Sequence, residues 1–121
     1  MTDTSQTFLV LEDEPLIAMD LKYAFEDAGR EAVAAVDNAE AAQCIKKHRI
    51  VGAVLDVSLG GRETCAPTAY DLHRRGIPFV LHTGDLDRVG EHLKDLKAPI
   101  IPKPRRADDV VARIVALLEE A

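Results

Sequence analysis

The chain has 121 residues, a formal net charge of -6 and a sequence pI near 5.1; that length suits one domain able to bury its own core without staples. The acidic balance argues against a broad nucleic-acid-binding face, and no apolar run reaches membrane-spanning length. Cys44 and Cys65 fit neither a C-x-x-C pair nor a zinc spacing and read as free thiols of a reducing cytoplasm, while residues 1–7 lack the basic and apolar parts of a secretion signal.

Residues 8–11 (FLVL) read as a short buried strand that stops at Glu12-Asp13. Pro15 suits the first turn of the next helix, along which Ile17, Leu21, Ala24, Phe25 and Ala28 recur on one face until Gly29 ends it. Residues 31–36 (EAVAAV) form a second, weaker strand, and Asp37 and Asn38 are N-cap candidates for a helix reaching about residue 48. A third strand over 50–55 closes on Asp56, and a Gly-containing loop leads to a helix near 67–75 that Gly76 ends. Residues 77–82 (IPFVLH) read as the fourth strand, followed by Thr83 and Gly84. A fourth helix over about 86–96 shows Leu86, Val89, Leu93 and Leu96 on one side. Gly90 inside it costs about 1 kcal/mol against Ala. Residues 99–101 are a short fifth strand before Pro102-Lys103-Pro104, and a last helix spans about 107–120 with Asp108 and Asp109 in its first turn. Part of its apolar face (Val110, Val111, Ile114, Val115, Leu117, Leu118) must face the sheet, and the remainder either completes the core or serves a partner or a dimer.

Five strands alternating with five helices predict an α/β fold, a (βα)5 doubly wound parallel sheet with helices on both faces and right-handed crossovers, in one domain over residues 1–121. Ligands of such sheets bind beyond the carboxyl ends of the strands. Strand one delivers Glu12 and Asp13 there, strand three Asp56, strand four Thr83 and strand five Lys103. Asp37, at the end of strand two, is explained by helix capping. If strands one and three are neighbours, three carboxylates converge and raise one another's pKa values. A hard divalent cation with room for phosphate oxygen, Mg²⁺, relieves that repulsion. A carboxylate can also act as a nucleophile towards phosphorus, giving an aspartyl phosphate whose charge Mg²⁺ and Lys103 would neutralise, with a hydrogen bond from Thr83. Each residue alone is explained as a cap, a turn residue or a solvated charge. The five together are not.

With these residues in place, the sequence resembles a response-regulator receiver domain of bacterial two-component signalling. The resemblance runs over essentially the whole chain and is carried by VLEDEPLIAMDL for the acidic pair, AVLDVSLGG for the acceptor, IPFVLHTGD for the hydroxyl and PIIPKP for the lysine. It implies a flavodoxin-like sheet in the order 2-1-3-4-5. It implies that Asp56 is the phosphoacceptor, that Asp13 and Asp56 bind Mg²⁺ through carboxylates and Ser58 through its backbone carbonyl, and that Glu12 holds metal-bound water. Thr83 would meet the phosphoryl group, Lys103 would pair with it, and the Lys103-Pro104 bond would be cis. Three departures stand out: Leu59-Gly60-Gly61 where many receivers have Met-Pro, Ile100 where many have Tyr or Phe three residues before the lysine, and Gly84 where Ala is common. Without the aromatic ring, the signal is expected to travel through backbone over residues 84–92.

PFVLHTGD, LDVSLGG and VLEDEPLIA are similar to a stand-alone alphaproteobacterial subfamily with a Phe-Ala-Thr-Gly-type signature, Leu81 and His82 replacing its second Phe and its Ala. That likeness implies a cytoplasmic single-domain regulator, phosphorylated by a sensor histidine kinase of the HWE or a related class, acting by protein contact as a monomer or weak dimer. It would catalyse only its own phosphorylation and dephosphorylation, with no nucleic-acid or membrane partner. Alternatives are a receiver trimmed from a larger protein, a binding module that never phosphorylates, and a haloacid-dehalogenase-type phosphatase. The last needs a second Asp two residues after the nucleophile, where this chain has Ser58. His48, His73 and His92 read as surface residues of helices; His82, beside Thr83, reads as a core or interface histidine.

Overall fold

The structure is a computed structural model that describes residues 6–61, 63–85 and 89–120. Five parallel strands, β1 (Gln6–Leu11), β2 (Glu31–Ala35), β3 (Arg49–Asp56), β4 (Phe79–Thr83) and β5 (Ile100–Pro102), lie in the order β2-β1-β3-β4-β5. The helices α1 (Pro15–Asp27), α2 (Asn38–Lys47), α3 (Ala66–Arg74), α4 (Gly90–Asp95) and α5 (Ala107–Glu120) alternate with them. Strand alternation divides the core into two layers. Phe8, Val10, Val54, Val80 and Ile101 face Leu21 and Phe25 of α1 and Val110, Val111 and Ile114 of α5. Leu9, Leu11, Ala53, Leu55 and Leu81 face Ala41 of α2, Ala69 and Leu72 of α3 and Leu93 of α4. β1 and β3, buried on both sides, are therefore continuous apolar runs rather than alternating ones.

Local chemistry sets most of the element ends. Pro15 begins α1, and Gly29, at φ 75°, follows its C-cap, Ala28. Asp37 caps α2 by accepting the Glu40 N–H at 2.8 Å, and Glu40 reaches back to the Val36 N–H at 3.0 Å, a capping box displaced by one residue. Asn38 is not the cap but the first residue of the helix.

Several expectations are corrected. β4 begins at Phe79 rather than residue 77, because the Ile77 N–H donates to the Leu72 carbonyl and Pro78 has no N–H to give to the ladder. β5 takes in Pro102 and leaves out Pro99, whose carbonyl accepts the Leu81 N–H. Gly90 is the first residue of α4, at φ 70°, so it enables the entry into the helix instead of weakening its interior. Leu86 lies outside the described residues. Ala28 is exposed, so the buried face of α1 rests on Leu21 and Phe25 with Ile17 and Ala24 half-buried beside them. His48 caps α2 and is half-buried, while His73 is exposed. Val115, Leu117 and Leu118 of α5 pack half-buried against the core.

Candidate functional site

The carboxyl edge of the sheet draws together four of the side chains singled out in sequence. The pairing of β1 with β3 puts Glu12 and Asp13 beside Asp56, and one carboxylate oxygen from each of the three lies within 4.8 Å of the others. The β5–α5 segment brings in Lys103, whose Nζ donates to Glu12 Oε1 at 2.8 Å and to Asp56 Oδ2 at 3.3 Å. Glu12 and Asp56 are buried, and Asp13 is half-buried at the mouth. The second oxygen of Glu12 accepts the Glu14 N–H at 3.2 Å, and Asp56 Oδ1 accepts the Ser58 N–H at 3.3 Å. The Lys103-Pro104 peptide bond is cis, as expected.

The electrostatics follow from burial. Desolvation, then the hydrogen bond and charge of Asp56, push the Glu12 carboxyl up to about 7, with Lys103 pulling the other way. Burial works to lower the Lys103 pKa, but its hydrogen bond to Glu12 and the charges of Glu12 and Asp56 leave it raised. Three carboxyl groups face one ammonium in a nearly closed site: a proton on Glu12 relieves part of the repulsion in the metal-free protein, and a hard divalent cation would relieve it in that proton's place. The residues present therefore fit Mg²⁺: their donors are all oxygen, and one carboxylate faces the opening.

Residues 57–65 contribute a feature that the sequence did not announce. Cys65 N–H donates to the Val57 carbonyl and Leu59 N–H to the Glu63 carbonyl, each at 3.0 Å, and Ser58 and Thr64 form an antiparallel bridge. The segment is a small hairpin whose turn holds Gly60 at φ 87° and Gly61 at φ 54°, a conformation that favours glycine. Ser58 and Thr64 are its non-hydrogen-bonded pair, so the N–H and C=O of each point outward from the hairpin. On the Ser58 side they point towards Asp56, which receives the N–H. The Ser58 carbonyl, expected as a metal ligand, leaves the hairpin on that same edge. At the tip, a Cβ on Gly60 would lie 3.3 Å from Asp13 Oδ2, so the turn passes close to that carboxylate.

Thr83 is buried at the end of β4 and joined to Lys103 through the backbone, the Lys103 N–H donating to the Thr83 carbonyl at 2.8 Å. Its hydroxyl is engaged with Asp85, donating to that residue's carbonyl and accepting its N–H, both at 3.1 Å. The cluster of Glu12, Asp13, Asp56 and Lys103 thus assembles without the Thr83 hydroxyl. His82 lies in register with Asp56 and is 3% exposed, yet neither ring nitrogen has a hydrogen-bond partner. Burial first, then the charges of Lys103 and Arg105, push its pKa down to about 4. The imidazole is a neutral core group, one of the two roles expected for it, at the wall of a cavity of about 160 Å³ between α1 and the residues after β5.

No protein-family model matches the chain, and no curated protein matches it. Among solved structures, SdrG from Sphingomonas melonis Fr1 is 39% identical, with a TM-score of 0.75 over 98% of this chain and 99% of that one. A CheY-like response regulator receiver domain protein from Methanospirillum hungatei JF-1 gives a TM-score of 0.80 at 22% identity, covering 98% of this chain and 96% of the other. The chain belongs to the receiver-domain family. The receiver domain of the Francisella response regulator 1452 shares the fold at 20% identity, with a TM-score of 0.76 over 97% of this chain and 98% of that one. This receiver has the flavodoxin-like sheet order expected of it. Among its described residues no helix is long and apolar enough to cross a membrane.

Proposed function

We propose that this receiver takes a phosphoryl group from the phosphohistidine of a sensor histidine kinase onto Asp56, with Mg²⁺, and signals by protein contact as a cytoplasmic single-domain regulator. The observation that carries the reading is the placement of Asp56: buried, with Lys103 Nζ at 3.3 Å and two further carboxylates within reach of one cation. In the transfer an Asp56 carboxylate oxygen attacks phosphorus, the P–N bond breaks, and the imidazole leaves as the acyl phosphate forms. Ser58 N–H orients the Asp56 carboxylate. Lys103 shifts its hydrogen bonds from the two carboxylates towards the phosphoryl oxygens. The Thr83 hydroxyl exchanges the Asp85 carbonyl for a phosphoryl oxygen. Asp13, Asp56 and the Ser58 carbonyl would hold Mg²⁺, with Glu12 holding its water; when bound, the ion neutralises charge on the transferred group.

The identity to SdrG over almost the whole of both chains supports a regulator of this size in the alphaproteobacterial subfamily, and with it a kinase of the HWE or a related class. Intact-mass measurement after incubation with acetyl phosphate and MgCl₂ tests the chemistry. Wild type is expected to gain one phosphoryl group, Asp56→Asn none, and wild type in excess chelator none. Undiminished labelling of Asp56→Asn refutes the assignment.

A further inference from the structure

The hairpin that turns the Ser58 carbonyl towards Asp56 is gripped from its other side by a residue outside the acidic cluster. Asn38 opens α2, one position after the true cap, so its amide is free to reach across the chain. Its Nδ2 donates to Glu63 Oε2 and to the Thr64 carbonyl, both at 2.8 Å, and its Oδ1 accepts the Thr68 hydroxyl at 2.6 Å. Its backbone N–H also points to Glu63 Oε2, at 3.3 Å. Both amide hydrogens and the carbonyl oxygen are thereby used, and the Thr64 carbonyl and Glu63 carboxylate, which can only accept, fix which way the amide faces.

We propose that Asn38 is a positioning residue for metal-dependent phosphorylation: it clamps the outer edge of the 57–65 hairpin, with Glu63, so that the inner edge holds the Ser58 carbonyl at the metal position beside Asp13 and Asp56. The proposal rests on the receiver reading of the site. The Thr64 carbonyl and the Ser58 carbonyl are outward groups on opposite edges of one bridged pair, so the clamp and the proposed metal contact sit back to back across a single hairpin. The turn at Gly60 passes close to Asp13, so the same clamp also sets the space beside that carboxylate. Groups that orient a metal ligand from outside its coordination shell are commonly worth 10- to 100-fold in affinity. Glu63 is exposed, which places Asn38 at the low end of that range, about tenfold.

Two measurements on the full chain test this: Mg²⁺ affinity from amide NMR shifts during MgCl₂ titration, and the rate of labelling by acetyl phosphate as a function of Mg²⁺ concentration. Asn38→Asp removes both amide donors while keeping a residue that suits the first turn of a helix. It is expected to raise the half-saturating Mg²⁺ concentration about tenfold and to leave the rate at saturating Mg²⁺ unchanged. Glu63→Ala, a surface change, should shift it in the same direction. Glu63→Gln, whose carbonyl still accepts from Nδ2, should restore wild-type behaviour. Asp37→Ala removes the α2 cap without touching the hairpin and should lower stability with no change in Mg²⁺ dependence. Wild-type Mg²⁺ dependence in Asn38→Asp and Glu63→Ala overturns the clamp, as does an equal shift in Asp37→Ala. A wild-type chain that takes neither Mg²⁺ nor a phosphoryl group refutes the receiver reading itself.

Discussion

In the metal-free protein, replacing Glu12 with Gln should expose a pH dependence that the wild type hides. The folded chain keeps a proton on Glu12 up to about pH 7, whereas an unperturbed Glu releases it near 4.5. The folded state therefore binds more protons across that interval, and its stability falls as pH rises through it. His82 does the opposite: its folded pKa is about 4 against an ordinary 6.5, so the unfolded chain binds more protons and stability falls as pH drops through that interval. Both side chains are nearly inaccessible to solvent, so their shifts act with little screening. From about pH 5 to about pH 7.5, linkage gives a loss of about 2 kcal/mol from Glu12 and a gain of about 2 kcal/mol from His82. The wild type in chelator should therefore be nearly flat over this range. Glu12→Gln should become more stable by about 2 kcal/mol between the two pH values, and His82→Phe less stable by about as much. For a chain of this size that is about 8 °C in Tm, readable by thermal melts followed by circular dichroism. The double variant should again be flat. A flat profile in Glu12→Gln, or a shared slope in all four proteins, refutes the reasoning.

Gly52→Ala should destabilise the fold by about 1–3 kcal/mol in urea titration, because the added methyl would stand 2.8 Å from Phe8 Cε2 and 3.3 Å from Ile114 Cγ1, and Phe8 is stacked on Phe25 at 4.7 Å; an unchanged midpoint counts against the packing described. Gly60→Ala should lower stability by about 1 kcal/mol or more through its φ of 87°, and should weaken Mg²⁺ binding through crowding of Asp13, seen in the same NMR titration. Burial pushes the Cys65 thiol up to about 12 and also raises that of Cys44, so mass spectrometry at about pH 8 should find Cys65 unalkylated in the native protein and modified after unfolding. Rapid native labelling of Cys65 contradicts its burial.

The sequence by itself determined the alternation of elements, because that rests on local periodicity. Apolar runs ending on Asp56 and on Glu12-Asp13, a Pro at the start of α1 and a Gly past its end are local signals with local causes. The residues of the acidic cluster were legible for the same reason: a parallel sheet delivers whatever follows each strand to one edge. Most of what was not legible depended on partners far along the chain. The start of β4 was misplaced for a local reason: with Gly76 at φ 72° just past α3, the Ile77 N–H closes the helix end by donating to the Leu72 carbonyl and is lost to the strand. Asn38 read as a second candidate cap, yet with Asp37 filling that role its amide serves a loop 25 residues away. The hairpin over 57–65 rests on two backbone hydrogen bonds, Cys65 to Val57 and Leu59 to Glu63, and its apolar positions are too few for a periodicity to be read from the sequence. His82 could be assigned to the core, but not its position beside Asp56 or the loss of hydrogen-bond partners for both nitrogens, since strand order and register decide those. Local pattern fixes which groups reach the sheet edge; only tertiary packing decides which of them meet, which stay engaged elsewhere and which are left buried without a partner.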